Sequence, residues 1–192
     1  MLKVENLSRS YNGKKIIRNL SFELAAGHLL ILLGRNGSGK TTLLNCLAGI
    51  RDVDSGRVLI EPQKRLELVA QESLLYAELS IRENLELFSA LAGRDSFPTE
   101  LVDRFSLATF LEKRISDCSA GITRRVSIVR ALLSSPDILL LDEPFLSLDK
   151  LSKEVLKEII SEELLKQRCV LVATHEPFYL PKTDHSLTIE LT

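Results

Sequence analysis

Gly34-Arg35-Asn36-Gly37-Ser38-Gly39-Lys40-Thr41 matches G-x-x-x-x-G-K-[ST] at every specified position. It lies between a nearly all-apolar run, His28 to Leu33, and a helical pattern from Lys40 to Ala48. Strand, glycine-rich turn and helix in that order leave few folds open. The glycines let backbone N–H groups turn inward around an anion, where side chains would block the approach. The helix that follows aims its positive end at the same point. Lys40 brings a mobile charge to the β- and γ-phosphates, and Thr41 a hydroxyl suited to Mg²⁺. Motif and context together predict a nucleotide-phosphate cradle; an ordinary Gly-rich turn needs neither.

The run before the cradle reads as a parallel strand covered on both faces. Upstream, apolar and polar residues alternate from Leu2 to Leu24 about Asn12-Gly13, a dipeptide whose tolerance of positive φ predicts a hairpin. Short strand-like pieces follow at Arg57–Ile60 and Leu66–Ala70. Between Ile81 and Leu111 the period changes. Leu85, Leu87, Phe88 and Leu91 repeat at helical spacing, and Leu101, Phe105 and Leu111 form a second pattern beyond Pro98. These predict a small helical lobe at about 72–118. Strand-like Ile138–Leu141 and Val170–Ala173 then alternate with helical Thr123–Ser134 and Leu151–Lys166, the signature of an α/β fold with a mainly parallel sheet.

At 192 residues the chain reads as a single domain, 1–192, able to bury roughly 70 % of its unfolded surface without a staple. A formal net charge of −1 gives no electrostatic footprint for nucleic acid. No signal peptide opens the chain, and the apolar runs are strand-sized, well short of the roughly 18–20 residues of a membrane span. A cytoplasmic location is expected, with any membrane role coming through a partner. Cys46, Cys118 and Cys169 are odd in number and widely spaced, as expected of apolar filler in a reducing compartment.

Ile138–Leu141 ends in Asp142-Glu143. Parallel sheets bind ligands beyond the carboxyl ends of their strands, so both carboxylates fall near the cradle. Asp142 suits the shell of Mg²⁺, through water. Glu143 can orient and polarise an attacking water. The alternative, a solvated acidic turn, is disfavoured by the uncharged strand directly before it. Val170 to His175 repeats the arrangement with a histidine. Alone, such a His is more often structural; beside the other features His175 becomes a candidate contact for the γ-phosphate. His28 and His185 have no such support and are read as structural.

This ordered set resembles the ABC (ATP-binding cassette) ATPases across nearly the whole chain, and so implies a P-loop NTPase core of ABC type. That core has an N-terminal antiparallel β region and an inserted helical lobe. Gln71 follows a short strand as the family's Q-loop glutamine does, implying a catalytic and metal-contacting role. Asp142 resembles the Walker B aspartate, Glu143 the catalytic glutamate and His175 the switch histidine. Ser147-Leu148-Asp149 looks like the D-loop, and Tyr11 sits where the family places an aromatic against adenine. Gly34, Asn36, Gly37, Ser38, Gly39, Lys40, Thr41 and Thr42 would hold ATP, together with Ser119, Gly121 and Asp149. The family's Leu-Ser-Gly-Gly-Gln signature stands here as Cys118-Ser119-Ala120-Gly121-Ile122, and Ile122 cannot supply the amide hydrogen bonds of Gln.

The resemblance implies an ATP- and Mg²⁺-dependent motor that works as a head-to-tail dimer, with an identical cassette or a paralogue. It implies membrane-spanning transporter subunits as partners, met at the inner face of the cell membrane. Leu74–Leu91 is the expected contact surface for those subunits, with plain lobe core as the alternative. Ala120, Asp142-Glu143-Pro144-Phe145 and Thr174-His175-Glu176-Pro177 look like the haem-exporter ATPases of cytochrome c maturation. Two other classes share the motifs. A soluble ABC ATPase would usually carry coiled-coil insertions or tandem cassettes, which this chain lacks. A nucleotide sensor without turnover is favoured by Ile122 alone, against intact Lys40, Asp142, Glu143 and His175.

Overall fold

The computed structural model describes residues 1–11, 13–180 and 186–191. The predicted hairpin is present: β1 (Leu2–Tyr11) pairs antiparallel with β2 (Lys14–Leu24). Asn12 of the predicted turn lies outside the described residues, as does His185. β3 (Leu29–Gly34) runs into α1 (Lys40–Leu47), and β4 (Ser55–Ile60) returns to pair antiparallel with β1. β5 (Leu66–Val69) precedes the lobe, which holds α2 (Ile81–Leu91) and α3 (Thr99–Arg104), with short 3₁₀ turns at Ala108–Phe110 and Ile115–Asp117. After it come α4 (Ala120–Leu133), β6 (Ile138–Asp142), α5 (Lys150–Leu165), β7 (Cys169–Thr174) and β8 (Ser186–Leu191).

Two sheets result. One is antiparallel in the order β2-β1-β4; the other is parallel, β5-β6-β7-β3-β8. Every residue of β6 and β7 is buried, and strand alternation divides their side chains between two apolar clusters. Ile138, Leu140 and Leu171 face α1 and the antiparallel sheet. Leu139, Leu141, Val170 and Val172 face the layer of α4, α5 and the lobe. The α/β class, the mainly parallel sheet and the N-terminal antiparallel region are therefore as the sequence predicts. β8 is the strand the periodicity reading did not single out. Four of its residues are exposed or nearly so along a sheet edge, so no continuous apolar run announces it.

Local chemistry fixes the element ends. Ser80 starts α2 with a capping box: its Oγ accepts from Glu83 N, and Glu83 Oε2 accepts from Ser80 N. Pro98, the predicted break, sits immediately before α3. Leu85 of the predicted helical pattern is fully buried, while Leu91 is 71 % exposed at the helix end.

Candidate active site

The cradle forms because the backbone between β3 and α1 takes conformations that other residues resist. Gly37 and Gly39 have φ of 83° and 102°. A Cβ on Gly39 would stand 2.5 Å from Ile16 Cγ2, so the hairpin packs on the turn too closely for any side chain. No side chain caps α1, which leaves its first N–H groups facing the turn. Lys40 Nζ folds back to donate to the carbonyls of Gly34 (2.7 Å) and Arg35 (3.3 Å) and stands 3.2 Å from Glu143 Oε1.

Because β7 lies beside β3 in the sheet and β6 beside β7, their carboxyl ends open onto this turn. Glu143, with φ of 46° just past β6, donates its N–H to the Ala173 carbonyl at 2.8 Å. His175 Nδ1 stands 2.8 Å from Glu143 Oε2. Lysine, glutamate and histidine thus form one chain of contacts. The rings of Phe145 and Phe178, 4.8 Å apart, tie the two loops together just beyond.

A hollow of about 570 Å³ joins these groups to the cradle. Asn36, Gly37, Gly39, Lys40, Thr41 and Thr42 line one side; Gln71, Glu143 and His175 line the other. Tyr11 stands at the rim, 59 % exposed, with Ile16 and Leu146, which sequence motifs do not mark. Gly34 and Ser38 do not line this hollow, and a Cβ on Gly34 would collide with Ser38 Oγ and the Leu191 carbonyl oxygen. Asp142 is 1 % exposed beneath it. Burial pushes its carboxyl above the usual carboxylate range, against a hydrogen bond from Thr41 and the charges of Arg124 and Lys40.

Asp142 Oδ1 is buried without a hydrogen-bond partner among the described residues, beside the Thr41 hydroxyl. Hard oxygens of this kind fit Mg²⁺, which keeps waters and substrate phosphates in its shell and needs only one or two protein ligands. Accordingly, no cluster of three or more metal-ligating His, Cys, Asp or Glu is needed, and none occurs among the described residues.

Ser119, Gly121 and Asp149 do not reach this hollow. With Ala120, Arg125 and Ser147 they line a second one of about 400 Å³. Ser119 caps α4, its Oγ accepting from Ile122 N, and Asp149 caps α5, its Oδ1 accepting from Ser152 N at 2.7 Å. A Cβ on Gly121 would stand 2.7 Å from the Ser147 carbonyl oxygen, so only glycine lets these two segments meet. Ile122 is buried in the core, which explains an apolar residue in that position. Motif matching also passes over Arg124, a cation buried on α4 among Ile122, Val126 and Ile128. Three arginines stand within Ile122–Leu133, and no local signal marks which of them is buried at the site.

A phosphate cradle at the carboxyl ends of a parallel sheet is the site of a mononucleotide-binding α/β domain. The ABC transporter family profile matches residues 17–146. An uncharacterised ABC transporter ATP-binding protein of Haemophilus influenzae is 36 % identical over 184 residues, covering 92 % of this chain and 76 % of its own. The cytochrome c biogenesis ATP-binding export protein CcmA of Rhodobacter capsulatus is 38 % identical over 175 residues, covering 91 % and 81 %. The taurine import ATP-binding protein TauB of Roseobacter denitrificans is 32 % identical over 192 aligned positions, covering 91 % and 71 %. A solved ATP-binding subunit of an ABC transporter superposes with a TM-score of 0.81 at 28 % identity, covering 91 % of this chain and 79 % of that one. The chain belongs to the ABC transporter family of ATP-binding proteins.

Proposed function

We propose that this chain is the ATP-binding and ATP-hydrolysing motor subunit of a membrane transporter, working as a head-to-tail pair with Mg²⁺. The observation that carries the proposal is the division of site residues between two hollows. Lys40, Glu143, His175 and Gln71 share one; Ser119, Gly121 and Asp149 share the other. Neither hollow is a complete nucleotide site. Two cassettes turned head to tail set the cradle of each against the second hollow of the other, and ATP lies between.

In this reading Tyr11 meets the adenine, and the N–H groups of the cradle hold the phosphates. Thr41 and, through water, Asp142 would hold Mg²⁺, which neutralises phosphate charge when bound. Lys40 turns from its own carbonyls and Glu143 to the β- and γ-phosphates. Glu143, so released, takes a proton from water as the water oxygen attacks the γ-phosphorus and the bond to ADP breaks. His175 holds Glu143 in place and faces the γ-phosphate, and Gln71, on its exposed loop, would supply a further oxygen to Mg²⁺.

Among the described residues no helix is long and apolar enough to cross a membrane, and in this reading separate subunits supply the membrane span. Leu74, Tyr76 and Leu91 are 51 %, 54 % and 71 % exposed on or just before α2, and this face is the proposed contact, with the chain working in this reading at the cytoplasmic surface of the membrane. Charge-reversing substitutions there are expected to abolish membrane recruitment; unchanged recruitment would exclude this face. The identity to CcmA, together with Ala120 and Phe145, favours export in cytochrome c biogenesis as the specific role. ATP-dependent association with cytochrome-maturation membrane subunits tests that role, and its absence would leave only the general one.

The test of the general reading is ATP turnover by the purified chain, alongside Glu143→Gln assayed for dimerisation with MgATP. Turnover in the wild type, with an ATP-trapped dimer and no turnover in the variant, is expected. Tight ATP binding with neither turnover nor dimer would sink the self-sufficient motor.

A further inference from the structure

Arg124 is 8 % exposed and lies in the first turns of α4. Its guanidinium spans two segments that carry site residues. Nη1 donates to the Ala70 carbonyl at 2.6 Å, directly before Gln71, and Nη2 donates to the Asp142 carbonyl, directly before Glu143. Nε is buried without a partner among the described residues. A cavity of about 210 Å³ lined by Gln71, Arg124, Glu143, Cys118 and Ser147 adjoins it.

Desolvating a guanidinium is costly, and a well-packed apolar side chain often fills such a space at no loss of stability. Both directed bonds here go to backbone, and no carboxylate forms an ion pair with the group among the described residues. Burial pushes the guanidinium below its ordinary value, with the charges of Asp142 and Glu143 acting the other way. An apolar residue would fill the volume but could not link the two carbonyls. The planar fork does so, and a single ammonium could not in the same geometry.

We infer that Arg124 is a positioning residue for hydrolysis, holding the Gln71 loop in register with the Asp142-Glu143 turn. The inference rests on the ATPase reading above. Arg124 does not line the first hollow and acts through the backbone on either side of it.

A double-mutant cycle in steady-state ATP hydrolysis tests it. Arg124→Met is expected to lower kcat about tenfold or more, with KM for ATP and affinity for ADP held within about threefold. In a Gln71→Ala background the same substitution should cost at least about threefold less, because residues that act as a unit are not additive. Multiplicative losses, or a kcat within about twofold of wild type, would overturn the inference. Should Arg124→Met not fold, Arg124→Lys, which keeps the charge and loses the fork, is read in the same way.

A wild-type chain without turnover would defeat the ATPase reading and leave the geometry to a separate readout. The Glu143 amide, bonded to the Ala173 carbonyl, should exchange its hydrogen about tenfold faster in Arg124→Met, with amides of β3 unchanged. Equal exchange in variant and wild type would overturn the inference regardless of activity.

Discussion

A lysine at 5 % exposure is tolerated only where its charge is met, and Lys40 meets two carbonyls and Glu143. The same contacts define what nucleotide must replace. Lys40→Ala removes a charge-assisted donor, so nucleotide affinity should fall roughly ten- to a hundredfold by calorimetry, at about 1.5–3 kcal/mol for such a bond. Cys169 shows burial acting on a group outside the site. Its thiol is pushed up to about 11 from 9.0 by desolvation, and it is fully buried. Between those values the folded chain keeps a proton that the unfolded chain has released, so stability must fall as pH rises through the window and be intact below it. Urea unfolding at pH 8 and pH 10.5 should show that loss, and Cys169→Ala should show less of it. Equal pH dependence in both proteins would contradict the assignment.

At the scale of elements, the lobe shows how much can rest on side chains satisfying backbone. Asn84 is fully buried. It accepts from Tyr76 N at 2.8 Å and donates to the carbonyls of Tyr76 and Ser80 at 3.0 and 2.9 Å. That network shapes the 76–80 turn leading into α2 and so sets the angle of the proposed membrane-facing surface. Ser80 adds the capping box, and Ser80→Ala should cost about 1 kcal/mol in urea unfolding while leaving nucleotide affinity unchanged. Arg130 pins the lobe to the sheet, with its guanidinium carbon 5.5 Å from the Phe88 ring centroid, Nη1 at 3.0 Å from Glu67 Oε2 and Nη2 donating to the Leu68 carbonyl. None of these ties follows from the helical period, which placed α2 and the break at Pro98 but carries no information about which partner a helix leans on.

At the scale of the whole molecule, binding and assembly are linked to stability. MgATP at a hundred times its Kd should raise unfolding free energy by about 2.7 kcal/mol in the wild type, and far less in Lys40→Ala at the same concentration. A mixing experiment addresses pairing. Glu143→Gln disables the first hollow and Ser119→Tyr obstructs the second, so each variant alone should lack turnover. In a homodimer whose chains exchange before MgATP is added, the mixture should recover about a quarter of wild-type activity, since half the dimers are mixed and each has one intact site. No recovery would count against a pair of identical chains. The cradle, the strands that open onto it and the carboxylates and histidine at their ends were legible in the sequence, because glycine tolerance, apolar runs and charge at a strand end are local chemistry. Sheet order was not. It takes parallel pairing across residues far apart in the chain to set β7 beside β3 and β6 beside β7, and so bring Glu143 within reach of Lys40 and His175. The same packing separates Ser119 and Asp149 from the cradle, buries Ile122, and lodges Arg124 between Ala70 and Asp142. Those contacts depend on which faces of distant elements exclude water together, and no local pattern of residues encodes that.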